Sequence, residues 1–157
     1  MIRQAHTLAV LGLVAALSTT LSITPTSIAA QPAAARSAGS VMVHLGSFTN
    51  DLHAAKMALK VATAMRQQGA SVVLFIDREG VRLADTRQPI GLIYGDGESF
   101  EQMYNAFIAA GGSVLVCPHC AKEAGMTSAT LRKGATLAKD PAELAKAILN
   151  ADRVIDF

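Results

Sequence analysis

Residues 109–126 read AAGGSVLVCPHCAKEAGM. Three signals follow one another here: Gly111-Gly112 stops a helix, Ser113–Val116 is a short apolar strand, and Cys117-Pro118-His119-Cys120 comes straight after it. The same alternation of strand and helix extends upstream. Val41–Gly46 (VMVHLG) reads as a buried strand ending in a loop, and Asn50 or Asp51 can cap the helix that follows. Leu52 to Gln68 holds no Gly or Pro and puts Leu52, Ala55, Leu59, Ala62 and Met65 on one face, with Gly69 as the stop. Ser71–Asp77 (SVVLFID) is a continuous β-branched and aromatic run, the pattern of a strand covered on both faces. Glu98 to Ala110 is a second helix, with Phe100, Met103, Tyr104, Phe107 and Ile108 on one broad face.

The remaining segments are weaker. Val81–Leu83 reads as a short strand or helix, and Leu92–Tyr94 as a short strand in a glycine-rich loop. Ala121–Ala124 is a short helical piece, and Ser128 to Lys133 another short helical turn. Asp140-Pro141-Ala142-Glu143 is a compact helix start with cap, Pro at the first position and Glu three after the cap. That helix runs to about Leu149, and Val154–Phe157 reads as a last strand. The order predicts an α/β fold, a mainly parallel sheet with helices on both faces. In such sheets ligands gather beyond the carboxyl ends of the strands. The loops Gly46–Asp51, Asp77–Gly80 and Cys117–Cys120 are expected to meet there.

The cysteine pair carries the chemistry. Backbone N–H groups at a helix start favour a thiolate, which predicts a Cys117 pKa below the free value of about 8.5. Pro118 suits a first helical turn, and Cys120 falls near the same face, so the pair offers an attacking and a resolving thiol. Structural zinc sites take four ligands; there is no second cysteine pair, and the spacing of His44, His53 and His119 does not demand a metal. A purely structural disulfide here would close a very small loop and stabilise little. No metal and no cofactor are expected. Gly46, Gly95 and Gly97 do not form a dinucleotide fingerprint. Asp77 and Glu79, at the end of a strand, could hydrogen-bond a substrate, although a solvated loop is the default. His44 reads as a satisfied core histidine. His53 and Lys56 fall near the site edge, and Arg82 and Arg87 could attract an anion. His119 could assist charge balance or proton transfer, against the default of a surface histidine. Gly46, Asp77, Glu79 and His119 are thus the candidate substrate-binding residues beside Cys117 and Cys120.

Composition narrows the classes. The 157 residues are 51% hydrophobic and 17% charged with net charge +2, which fits one globular domain and excludes a disordered chain. So small a charge gives no footprint for nucleic acid. Aromatics make up 4% and Trp is absent, so an aliphatic core is expected. At the N-terminus, Arg3 precedes the apolar stretch Leu8 to Leu21, then TPTS and small residues. This is the layout of a signal peptide over residues 1–30, cut after Ala29 or Ala30 or inside Ala33–Ala35, with residues 31–40 a flexible leader. The stretch is short against the ~20 residues of a spanning helix, so a retained anchor is the weaker reading, and no membrane association is expected after cleavage. Export, periplasmic or secreted, implies an oxidising compartment.

CPHC is also the active-site string of thioredoxin-fold disulfide oxidases. In that plan the motif follows the first long central strand and a cis-proline loop comes later. Here two strong βα units precede the motif, and Pro141 reads as a helix start. Residues 41–157 instead resemble the DsrE/DsrF-like sulfur-relay family. The resemblance runs through VMVHLGS, DLHAAKMALKVATAMRQQG and ASVVLFIDREGVRLA, and is strongest in AAGGSVLVCPHCAKEAGM, which is similar to the family's G-x-x-x-x-V-C-x-x-C-A-x-x-x-G segment. It implies a flavodoxin-like or Rossmann-like three-layer sandwich, assembly as a trimer or hexamer, and a sulfur-accepting cysteine at Cys117. Cys120 matches a second cysteine present in only some members. The implied partners are a sulfur donor or acceptor protein, or small sulfane-sulfur compounds. The export signal would separate this chain from the cytoplasmic relay partners.

Three functions are therefore expected in order: a sulfur carrier or sulfurtransferase using Cys117, a dithiol–disulfide oxidoreductase using Cys117 and Cys120, and a non-catalytic binding subunit.

Overall fold

A computed structural model describes residues 38–157. The signal peptide and most of the leader expected over residues 1–40 lie outside the described residues. Five strands form one parallel sheet: β1 (Ser40–Leu45), β2 (Ser71–Ile76), β3 (Ser113–Val116), β4 (Ala135–Leu137) and β5 (Arg153–Asp156), in the order β4-β3-β2-β1-β5. The helices are α1 (Leu52–Gln67), α2 (Phe100–Ala109), α3 (Pro118–Glu123) and α4 (Pro141–Leu149). The chain steps from β1 to β4 in one direction, then returns across the sheet to β5. Right-handed crossovers therefore place α4 on the face opposite α1 and α2. Ile148 of α4 accordingly lines a groove with Met42, Phe75 and Val154, residues of that opposite face.

Local chemistry explains the helices. The Asp51 side chain accepts from Ala54 N at 3.0 Å and caps α1. Gly69 then takes φ 87°, a left-handed turn that suits glycine just past a helix end. Ser99 and Gln102 form a reciprocal capping box on α2. Asp140 and Pro141 start α4 as the sequence indicates, with Asp140 Oδ1 accepting from Glu143 N at 2.8 Å.

The main core lies between the sheet and α1/α2. Val41, Val43 and Leu45 of β1 sit level with Val72, Leu74 and Ile76 of β2, and all six are buried against Ala55, Leu59, Phe100 and Phe107. Most of the buried hydrophobic residues are aliphatic, as expected, but the largest are aromatic. Tyr104, Phe48, Phe100 and Phe107 are the largest fully buried side chains, and Phe48 meets Phe100 edge to face at 5.3 Å. The few aromatics are concentrated where burial contributes most.

Val81–Leu83, expected as a short strand or helix, is helical, within the 3-10 segment Arg78–Ala84. Other segments differ from expectation. Leu92–Tyr94 is not a strand; Ile93 makes only an isolated bridge to Ser99. Helix α3 begins at Pro118, in keeping with the first helical turn expected there, and so extends the piece expected from Ala121. The helical turn expected over Ser128–Lys133 is limited to Ser128–Thr130. Strand β1 starts at Ser40, inside the expected leader. Strand β4 had no signal in the sequence.

Candidate functional site

The carboxyl ends of β1, β2 and β3 are adjacent, and backbone bonds tie the loops that leave them. Cys117 N donates to Ile76 O at 2.9 Å, Asp77 N to Leu45 O at 3.3 Å, and Gly80 N to Gly46 O at 3.3 Å. Thr49 Oγ1 donates to Glu79 Oε1 at 2.9 Å, linking the β1 loop to the 3-10 segment. The fold thus brings Gly46, Asp77, Glu79 and Cys117 to one sheet edge.

Cys117 is the N-cap of α3. Its sulfur accepts from Cys120 N at 3.4 Å, and Pro118 fills the first helical position, where no N–H is needed. Both cysteines are free and half-buried. Burial pushes the Cys120 thiol up from its ordinary value, a hydrogen bond with Cys117 adds to this, and the Arg78 backbone N–H opposes it. The two sulfurs thus stand in different hydrogen-bond settings, Cys117 Sγ accepting from the first turn of α3 that Cys120 belongs to.

Arg78 adopts φ 44°, a left-handed conformation disfavoured for a side chain of this kind. Its Nε donates to Asp77 Oδ1 at 3.1 Å. Its guanidinium lies over the Gly46 backbone, where a Cβ at position 46 would overlap Nη2. The absence of a side chain at Gly46 is what admits it.

His44 is the site residue that sequence reasoning missed. It is half-buried, its ring stacks on Phe75 at 5.3 Å, and its Nδ1 hydrogen-bonds Asp156. Its Nε2 lies 3.0 Å from Asp77 Oδ1, close enough for an ion pair but off the line of a hydrogen bond. It is therefore not a core histidine but a link between β5 and the strand end that carries Asp77. A signal existed: β1 and β5 pair in parallel with His44 level with Asp156, once β5 is known to return beside β1.

The other candidates separate. His119 is exposed and lines a groove with Arg78, Glu79, Arg82, Cys120 and Glu123. Glu79 is engaged by Arg82 as well as Thr49, with Arg82 Nε donating to Oε2 at 3.0 Å. Lys56 lies away from the cysteines in its contacts, donating to Tyr94 O at 2.8 Å and Asp96 O at 2.9 Å. His53 meets Tyr94 edge to face at 6.1 Å. Arg87 is taken up by the buried Asp85, with Nη2 to Oδ2 at 2.7 Å.

Comparison with known proteins agrees with this architecture. The model of the DsrE/DsrF-like family matches residues 41–157. The fold is similar to the crystal structure of the ychN protein from E. coli, with TM-score 0.59 and 24% identity over 76% of this chain and 98% of that one. It is also similar to MTH1491 from Methanobacterium thermoautotrophicum, described as a protein of unknown function, with TM-score 0.60 and 10% identity over 76% of this chain and 99% of that one. No curated protein matches the chain. With its five-stranded parallel sheet, helices on both faces and a family match over nearly all the described residues, this chain belongs to the DsrE/DsrF-like family, a sulfur-relay-related fold.

Proposed function

We propose that this chain is an exported sulfur carrier, a persulfide transferase that accepts sulfane sulfur on Cys117 and passes it to a partner. The observation that carries this reading is the position of Cys117. It caps α3 at the carboxyl end of a parallel strand, with its sulfur accepting the Cys120 N–H. A sulfur anion formed there has a donor already in place. The Cys117 thiolate would attack the outer sulfur of thiosulfate, polysulfide or another persulfide. With thiosulfate, the S–S bond of the donor breaks, sulfite leaves with the bonding pair, and Cys117–S–S⁻ remains. The outer sulfur then moves to an acceptor thiolate, and Cys117 departs as thiolate.

A second reading follows from the contact between the thiols. Cys120, hydrogen-bonded to Cys117, could attack the inner sulfur, releasing sulfide and leaving a Cys117–Cys120 disulfide that a reducing partner must reopen. Assembly into a trimer or hexamer belongs to the same proposal. Its support is the apolar surface at α4 and β5, where Leu149 is 84% exposed and Val154 53%.

Intact-protein mass spectrometry on the reduced chain, incubated with polysulfide or thiosulfate, tests the reading. The expected result is a gain of whole sulfur atoms that Cys117→Ser abolishes and Cys120→Ala retains. Loss of two hydrogens with no sulfur kept, requiring both cysteines, would assign the dithiol oxidoreductase. No change in mass would leave a binding subunit. Light scattering tests the assembly, and a monomer would refute it.

A further inference from the structure

Beside the cysteine pair, a groove of about 330 Å³ runs between the 3-10 segment and α3. It meets the pair at Cys120, whose backbone N lies 3.4 Å from the Cys117 sulfur. Its charged lining is only partly self-neutralised. Glu79 and Arg82 satisfy each other, with Arg82 Nε 2.9 Å from Oε1 and 3.0 Å from Oε2. Arg78 is engaged only through Nε, by Asp77, and its side chain is 65% exposed, so both Nη groups are available among the described residues. Glu123 has no ion-pair or hydrogen-bond partner for its carboxylate among the described residues, and it follows Cys120 by one helical turn on α3. An open cation on the wall of the 3-10 segment, and an open anion with a thiol on the wall of α3, describe the complement of a zwitterion.

The Arg78 side of this groove is built at some cost. The residue holds a left-handed φ of 44°, and its guanidinium occupies space left free at Gly46. A dianion such as thiosulfate would face Glu123 and Glu79 as well as the arginines, so the mixed charge favours a ligand bearing both signs.

We propose that this groove docks a small thiol carrying both a carboxylate and an ammonium, an α-amino-acid thiol of the cysteine type, as the acceptor of sulfur held on Cys117. Arg78 takes the carboxylate and Glu123 the ammonium. The inference rests on the sulfur-carrier reading above. In the transfer, the acceptor thiolate attacks the outer sulfur of Cys117–S–SH. A new S–S bond forms to the acceptor, the old one to Cys117 Sγ breaks, and Cys117 leaves as thiolate. The proton of the outer sulfur stays with the acceptor persulfide, and no outside oxidant or reductant is needed.

The test uses the whole chain, loaded with polysulfide, freed of excess, and mixed with one of three thiols at equal thiolate concentration. L-Cysteine carries both charges, cysteamine lacks the carboxylate, and 3-mercaptopropionate lacks the ammonium. Loss of the added sulfur is followed by mass. Cysteine should unload Cys117 about tenfold faster than either analogue, the scale of one charge-assisted contact. Arg78→Gln should slow cysteine toward cysteamine, and Glu123→Gln should slow it toward 3-mercaptopropionate. Rates are compared thiol by thiol between variants, so intrinsic reactivity cancels. Equal unloading of the loaded wild-type chain by all three thiols would overturn this inference alone. A chain that never loads would overturn the carrier reading and this one with it.

Discussion

Two glycines at the site edge should respond to the same substitution in opposite ways. A Cβ added at Gly80 would overlap the Leu45 carbonyl oxygen and lie 3.2 Å from its carbon. Both are backbone atoms at the buried end of β1, and Leu45 O already accepts from Asp77 N. Relief requires the 3-10 segment to move away by an amount on the order of an ångström, since ordinary C···O contacts begin near ~3.3 Å. That motion weakens Gly80 N to Gly46 O and Asp77 N to Leu45 O, both already long at 3.3 Å. Two lost backbone bonds at about 1 kcal/mol each, with an overpacking cost of about 1 to 3 kcal/mol, put Gly80→Ala near ~3 to 5 kcal/mol destabilised. At Gly46 the overlap is with the Arg78 guanidinium, the far end of a largely exposed side chain. It can swing into solvent, so Gly46→Ala should cost less than about 1 kcal/mol. Urea unfolding followed by circular dichroism measures both, at unchanged slope. A Gly80→Ala chain as stable as wild type, or a Gly46→Ala chain less stable than Gly80→Ala, would refute the packing described here.

Three further outcomes are expected. Asp85 is 3% exposed, and its hydrogen bond from Arg87 holds its carboxyl below the usual range. Its stabilisation is present above the unfolded carboxylate pKa and is lost as pH falls through the lower folded value. Asp85→Asn should therefore cost about 1 to 3 kcal/mol at pH 7 and progressively less in acid, read from thermal melts across pH. Burial pushes the Tyr104 phenol up to about 12, and its hydroxyl donates to Lys133 O at 3.2 Å. Ultraviolet titration should show a late step that Tyr104→Phe removes, and stability should fall as pH rises beyond the ordinary tyrosine value. Lys56 ties α1 to the 94–97 loop through Tyr94 O and Asp96 O, so Lys56→Met should speed amide exchange in that loop while leaving the core strands protected.

Legibility in the sequence followed the reach of the interactions. The caps of α1, α2 and α4 depend on residues three apart, and Asp51, Ser99 and Asp140 were each readable or adjacent to the expected start. The runs that form β1, β2 and β3 announce themselves as short, nearly continuous apolar stretches. Strand β4 is Ala-Thr-Leu, three residues with no buried member, and exists because β3 offers an open edge. The 3-10 segment depends on Gly80 approaching the end of β1, a contact between distant residues with no local trace. His44 looked like core because its neighbours Val43 and Leu45 are core. Its own side chain points the other way, and its partners Asp77 and Asp156 lie on different strands.

One row of side chains sets the geometry of the cysteine site. Leu45, Ile76 and Val116 stand level across β1, β2 and β3, and each is fully buried on the α1/α2 face. The next residue on each strand is Gly46, Asp77 or Cys117. Because side chains alternate along a strand, fixing one row fixes the one after it, and a slip of a single residue would put Leu45 or Ile76 on the opposite face. Burying a leucine or isoleucine is worth about 1.5 to 3 kcal/mol, so such a slip is strongly disfavoured. The three backbone bonds between these loops then require no further side-chain restraint. The register that makes the aliphatic face of the core is thus the same register that brings a side-chain-free backbone, a carboxylate and a thiol to one edge. The polar side chains beside them, His44, Arg78 and Asp156, lie outside that buried row, so the register of the core does not depend on them.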